Sequence, residues 1–381
     1  MKKILRILKK IKLCLLNIKD VKYLKFNNNC YDNGIVLVIH ESKNLGASIL
    51  LKNIALEMVK KGEKIYIISR TFGELNDEYN SIACTQVALS KVHFMIILKK
   101  LKSKGYTKVL FNTASCGDLV KIAKDMDYKV LSLIHELEYV IKSLHIEKET
   151  KDMLVYSDET IFSTSIAKDE VLNFLHLGNV KTKIRPQGIY FNKPDLGIIE
   201  KNKTALIEKY PFLNNKKIVI GVGNTTYRKG FDIFYETSKL MDNTFFLWCG
   251  KKENFYSEVI KNNDINCNNF IYLGMLNSEQ LSGLYSMADV LLMSSRKDTL
   301  PSIIMEALLF DVPVIGSKDS GGIVDIVNET NGFLTNSCSS SEFSNAINEI
   351  FGRKKKKLSK SIEDLSFENY VSYLCDELNN L

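Results

Sequence analysis

The chain reads as an α/β protein of two domains, each built on a parallel sheet with crossover helices. Three observations carry that reading. Short apolar runs alternate with longer stretches of helical spacing along the whole length. At 381 residues there is enough chain for two domains of ordinary size, each with its own core. Three of the five prolines, Pro186, Pro194 and Pro211, fall within 26 positions of a polar stretch, which marks a linker.

Taken in order, the first half is expected to carry strands at Ile35–Ile39, Lys64–Ile68, Lys108–Phe111, Lys129–Ile134 and Glu159–Phe162. The second half is expected to carry them at Ile218–Val222, Thr244–Trp248, Phe270–Leu273, Val290–Met293 and Val312–Ile315. Domains follow over residues 31–190 and 211–360, with a linker over 191–210. Phe367–Leu381 has helical spacing at Tyr370, Leu374 and Leu378. The run Arg353–Lys357 is expected to be a solvated helix end.

Residues 1–30 form a basic extension. Ile4, Ile7, Leu8, Ile11, Leu15 and Ile18 share one face of a helical wheel, with Lys3, Arg6, Lys9 and Lys10 opposite. Lysines interrupt the apolar residues too often for a signal peptide or a membrane span. Two readings stand side by side: a helix lying on an anionic membrane surface, and a helix packing its stripe on the protein body.

Composition excludes several classes. A content of 45% hydrophobic and 25% charged residues is that of a soluble globular protein, and the net charge of +8 is modest for the length. Eight scattered cysteines contain no CxxC pair, and the five histidines are unclustered, so neither a zinc site nor a disulfide framework is indicated. A reducing, cytoplasmic setting is the expectation. Asp125-Met126-Asp127 has the letters of a metal-binding DxD but precedes a strand, so a helix-end surface pair is expected and no metal. No GxxxxGK[ST] loop or GxSxG elbow occurs, and GVGNTT lacks the third glycine of a dinucleotide fingerprint.

The most informative stretch is Ser294 to Gly332, SSRKDTLPSIIMEALLFDVPVIGSKDSGGIVDIVNETNG. Asp298 and Glu306 are separated by seven residues. Thr299 is expected to cap a helix that starts at Pro301 and runs to about Phe310. The N–H groups of Ser302, Ile303 and Ile304 would then face an anion. Glu306, over a turn further in, could accept hydrogen bonds from vicinal hydroxyls such as those of a ribose. Gly321-Gly322 reads as a turn permitting close backbone approach. Phosphate, diol and backbone contact together describe a nucleotide-sugar pocket. Elsewhere His135, His40-Glu41 and Asn112 stand at carboxyl ends of expected strands, where open α/β sheets bind ligands. Gly46-Ala47-Ser48 would open the helix after the first strand.

The acidic-x7-acidic spacing with its PVI…GG strand and turn resembles the donor site of the GT4 family of retaining glycosyltransferases, which have the GT-B fold. Five further stretches follow in the family's order: LVIHESKNLGASILLKNIALEMVKKGEKIYIIS, FNTASCGDLV, LSLIHELEYV, RPQGIY, and KIVIGVGNTTYRKGFDIF with FFLWCGK. The likeness covers about Ile35 to Gly332. It implies two Rossmann-like domains with parallel sheets facing an interdomain cleft, and a last segment (361–381) crossing back to the first domain. The implied catalytic residues are His135, Asp298 and Glu306. The implied donor site is Gly46, Ala47, Asn224, Arg228, Lys229, Thr299, Leu300, Pro301, Ser302, Glu306, Gly321 and Gly322. Acceptor-side candidates are His40, Glu41, Asn112 and Glu136.

Three departures from the family pattern concern the donor. Asp298 stands where Glu is usual, Lys297 replaces an acid, and Gly223-Asn224 replaces an arginine. The resemblance implies same-face transfer of a hexose-like sugar from a UDP- or GDP-sugar to a glycan or lipid-linked acceptor. It also implies no cofactor and no nucleic acid, and a place in bacterial surface polysaccharide synthesis, either in the cytoplasm or peripherally on the inner, anionic face of the membrane. Two alternatives stay open: a sugar-nucleotide epimerase of the same fold, and a non-catalytic sugar-nucleotide-binding subunit.

Overall fold

The computed structural model describes residues 22–26, 30–261, 268–354 and 357–381. The amphipathic segment expected over residues 1–20 lies outside the described residues. Two units are present. The first takes the chain up to Phe162 with Glu170–Arg185 and Tyr370–Leu381, and the second takes Ser163–Asp169 and Pro186–Asn369.

The first unit holds seven strands: β1 (Ile35–Ile39), β2 (Ile65–Ser69), β3 (Cys84–Val87), β4 (Lys108–Asn112), β5 (Lys129–Ile134), β6 (Glu159–Phe162) and β7 (Thr182–Ile184). They run in the order β3-β2-β1-β4-β5-β6-β7, with every neighbouring pair parallel. β1 reads Ile-Val-Leu-Val-Ile and is buried at every position, the continuous apolar run of a central parallel strand. Ile35 faces Ile65 on one side and Lys108 on the other. The strand order therefore reverses between β1 and β4, and their carboxyl ends frame the crevice where such sheets bind ligands.

The second unit repeats the plan with six parallel strands: β8 (Lys217–Val222), β9 (Thr244–Cys249), β10 (Phe270–Gly274), β11 (Val290–Leu292), β12 (Val314–Ser317) and β13 (Gly332–Thr335). Their order is β10-β9-β8-β11-β12-β13, so the reversal lies between β8 and β11. One side of the sheet carries an aromatic core in which Phe231 and Phe234 meet Trp248 edge-on at 5.2 and 5.0 Å.

Several expectations need correction. The stretch 191–210 is not an extended linker: Leu196–Lys209 is a helix within the second unit, with Ile199 buried and Leu206 on the core. Its apolar residues recur at helical spacing, which the nearby prolines obscured. The strand expected at Val312–Ile315 begins at Val314, because the Val312 N–H closes the preceding helix onto the Ala307 carbonyl and Pro313 has no N–H to give. Arg353 is not free in solvent: it donates to the carbonyls of Gly332 at 3.0 Å and Glu329 at 3.3 Å and pairs with Glu349. Asp125 and Asp127, by contrast, are the expected surface pair at a helix end, exposed after Gly117–Lys124, with Lys121 paired to Asp125.

Candidate active site

In the second unit the helix Ser302–Leu309 begins one residue later than expected. Pro301 is its N-cap in an extended conformation and Thr299 supplies no cap. The proline ring sets its own φ, while its carbonyl accepts from Ile304 N–H at 3.2 Å. One of the three N–H groups assigned to an anion is thus already used.

Asp298 stands just ahead of this helix with a side chain 16% exposed. It forms a short ion pair with Lys229, and Arg228 Nη1 lies 3.3 Å from the same oxygen. Arg228 also donates to the Lys297 carbonyl at 3.0 Å. These cations arrive on the loop after β8. That loop is fixed by Arg296, which donates its N–H to the Arg228 carbonyl at 2.8 Å. The Arg296 guanidinium lies 3.7 Å over the Tyr227 ring and makes a two-pronged pair with Asp232 at 2.8 and 2.6 Å. Gly230 takes a φ of +65° at the foot of the next helix, where a Cβ would meet the Ser294 carbonyl at 1.9 Å. Asn224 is exposed on the same loop.

The Gly321-Gly322 turn makes a close approach, and its partner is the protein's own backbone. Asp298 N–H donates to the Ser320 carbonyl at 2.8 Å, and Gly322 N–H donates to the Asp298 carbonyl at 3.1 Å. A Cβ on Gly321 would lie 2.1 Å from the Asp298 carbonyl oxygen, and one on Gly322 would lie 1.8 Å from that of Thr299. These glycines therefore set the position of Asp298 and Thr299 rather than lying open to a ligand. The Leu300 carbonyl, buried beneath, receives the Gln187 amide at 3.4 Å.

Glu306 is 7% exposed and accepts from the Tyr285 hydroxyl at 3.0 Å. The Ser302 hydroxyl bonds it as well, and also meets the Tyr190 hydroxyl. Burial raises its pKa, while these two hydrogen bonds oppose the rise. Tyr190 and Tyr285 were not picked out from the sequence. Tyr285 reads there as another core position of an amphipathic helix, and Tyr190 is the last letter of RPQGIY.

In the first unit a second cluster forms at the carboxyl ends of β1, β4 and β5. Asn112 is fully buried; its amide N–H donates to the Ala47 carbonyl at 2.8 Å, and its oxygen lies 2.9 Å from His135 Nε2. The amide orientation fixes the tautomer: Nε2 must carry the proton and Nδ1 a lone pair. That Nδ1 is buried without a hydrogen-bond partner, and burial lowers the His135 pKa to about 4. Glu136 accepts from the His135 N–H at 2.9 Å and the Ala114 N–H at 3.3 Å, so it anchors the loop. Burial raises its pKa.

His40 Nδ1 lies 3.1 Å from the Thr113 hydroxyl and Nε2 3.1 Å from Glu41, which also pairs with Lys43. Burial lowers the His40 pKa against the opposing pull of Glu41. Thr113 has a φ of +87°, a conformation a β-branched residue adopts only under constraint, at a cost of about 1–3 kcal/mol. No sequence signal marks it. Its N–H is held by the Leu133 carbonyl at 3.0 Å. Gly46 opens the helix Gly46–Lys60, which has no side-chain cap, and a Cβ on it would meet nothing within 4 Å. Among the described residues no group of three metal-binding side chains occurs.

Two parallel sheets of this order define the GT-B fold of glycosyltransferases. A structure from Anabaena titled HepE in complex with UDP superposes with a TM-score of 0.73 at 16% identity, over 91% of this chain and all of that one. Residues 202–364 match the family described as glycosyl transferases group 1. Among curated relatives, the processive diacylglycerol alpha-glucosyltransferase of Acholeplasma laidlawii is 30% identical over 30% of this chain and 36% of its own length. The alpha-galactosylglucosyldiacylglycerol synthase of Streptococcus pneumoniae is 27% identical over 27% of this chain and 29% of its own length. The match thus spans about a third of each of these relatives.

Proposed function

We propose that this protein is a retaining glycosyltransferase that moves a hexose-like sugar from a UDP- or GDP-sugar to a glycan or lipid-linked acceptor, without a metal, in surface polysaccharide synthesis. The observation that carries the reading is the Lys229–Asp298–Arg228 cluster set before the helix that bears Glu306, inside the segment matched by the family. The names of the two curated relatives, both acting on diacylglycerol lipids, support a lipid-borne acceptor.

In this reading Lys229 and Arg228 neutralise the charge that develops on the diphosphate as the bond from the sugar's anomeric carbon to phosphate oxygen breaks. The acceptor oxygen bonds to the same face of that carbon, and its proton passes to the leaving phosphate. Asp298, released from Lys229 by the competing phosphate, takes sugar hydroxyls. Glu306, held in place by Tyr285 and Ser302, has carboxylate lone pairs left for the ribose diol. His135 presents its Nδ1 lone pair to a hydroxyl of the transferred sugar, and His40, Glu41 and Asn112 lie on the acceptor side.

Two measurements test this. In a thermal panel of nucleotide sugars, a ligand at a hundred times its Kd should add about 2.7 kcal/mol of stability. Stabilisation by neither UDP- nor GDP-sugars would overturn the donor assignment. NMR of the product should give the donor's anomeric configuration, and an inverted anomer would reject the retaining mechanism.

A further inference from the structure

The Glu306 carboxylate is gripped from two sides. An ionised carboxylate only accepts hydrogen bonds, so each hydroxyl that meets it must donate. Tyr285 is one donor, at 3.0 Å, and is itself fully buried. Ser302 is the other, four residues back on the same helix, where side chains at i and i+4 meet. Donating to Glu306 uses the one proton of the Ser302 hydroxyl and leaves its oxygen to accept. The Tyr190 hydroxyl meets that oxygen, so the bonds run from Tyr190 to Ser302 to Glu306. A serine side chain has three staggered positions to choose from. With its lone pair taken by Tyr190, the position facing Glu306 is the one that satisfies both neighbours.

Tyr190 is fixed in turn. Its ring stands edge-on to Phe367 at 5.7 Å, and a Cβ on Gly188 would lie 2.6 Å from the Phe367 Cα. The Ile189 N–H donates to the Leu365 carbonyl at 2.8 Å. The next residue, Phe191, packs edge-on against Tyr285 at 6.3 Å and Phe310 at 6.0 Å. Two adjacent residues of one segment therefore set both hydroxyls that hold Glu306. Buried hydrogen bonds in a chain polarise one another, so loss of the far hydroxyl is felt at the carboxylate.

We propose that Tyr190 is a positioning residue for Glu306, turning the carboxylate's remaining lone pairs toward a ribose diol so that the site selects ribonucleotides over deoxyribonucleotides. The inference rests on the donor reading given above.

The test is calorimetry on the full chain with UDP, GDP and their 2′-deoxy forms. For the nucleotide that binds, wild type should prefer the ribo form at least about 10-fold, the worth of one hydrogen bond to a charged group. Tyr190→Phe keeps the ring against Phe367 and removes only the hydroxyl. It should weaken the ribo form by about 3- to 10-fold and leave the deoxy form within about 2-fold. In a Ser302→Ala background the same substitution should change neither affinity, because the relay is already cut. An equal loss for both forms in Tyr190→Phe would show a merely structural role and overturn the proposal. So would a wild-type preference in that variant, or an undiminished effect when Ser302 is alanine. Equal affinity of wild type for the two forms, or no binding of either nucleotide, would overturn the donor reading itself, and the proposal with it.

Discussion

In the proposed reading Asp298 and a donor diphosphate make competing demands on Lys229, and this sets the outcome of a single substitution. Asp298→Asn keeps the side chain's size while removing the charge that holds both cations. UDP should then bind more tightly, by up to about 10-fold, since Lys229 no longer has to leave a partly buried ion pair. Turnover should fall, because the sugar loses its carboxylate. Calorimetry with UDP and a rate assay read the two effects, and weaker UDP binding would show that the pair positions the loop instead. At His135 the folded pKa of about 4 lies below the usual 6.5. Between those values the unfolded chain takes up the proton and the folded chain does not. The contribution to stability is complete above about pH 6.5 and is lost as pH falls toward 4. Urea melts at pH 7 and 4.5 should show His135→Gln losing about 1–3 kcal/mol less than wild type on acidification, and parallel losses would place the ring elsewhere. His135 stands out in the sequence because it follows the apolar strand Lys129–Ile134 directly. Thr113 does not, since nothing in its letter reports a φ of +87°.

Elements place these residues, and two glycines separate structural from site roles. Gly322→Ala puts a Cβ on the Thr299 carbonyl and must shift the loop that carries Asp298. UDP affinity should fall at least about 10-fold and stability by about 2 kcal/mol or more, read by calorimetry and denaturant melts. Gly46→Ala meets open space at a helix start, so the melting temperature should hold or rise slightly while activity drops if substrate approaches that backbone. Unchanged activity would remove Gly46 from the site. The strands missed in the sequence share one property: β3, β7 and β13 are all at sheet edges. Their letters, CTQV, TKI and GFLT, are short and mixed, and Lys183 and Ile184 in β7 are exposed. An edge strand is covered less than a central one, so its composition carries less apolar signal.

At the scale of the whole molecule, the last helix, Phe367–Asn380, belongs to the first unit from Tyr370 onward although it follows the second in sequence. Tyr370, Val371, Leu374, Cys375 and Leu378 are its buried residues. Leu374→Ala should therefore destabilise the first unit by about 2–5 kcal/mol. Calorimetry should show the loss in one transition, with UDP-induced stabilisation of the second unit retained. A loss shared equally by both transitions would reject this assignment of the helix.

What the sequence by itself determined was the alternation of strand and helix and the positions of the central strands. Burial on both faces of a parallel sheet forces long apolar runs, and a helix start after a strand needs its own letters; both leave local traces. Tertiary structure alone decided the rest. Glu306 is gripped by Tyr285 from 21 residues away, Lys229 by Asp298 from 69, and His135 takes its tautomer from Asn112 on another strand. The glycine turn closes on Asp298 and Thr299 in the same way. These contacts join segments far apart in the chain, and such partners are set by the order of strands in a sheet, which no local pattern of residues records.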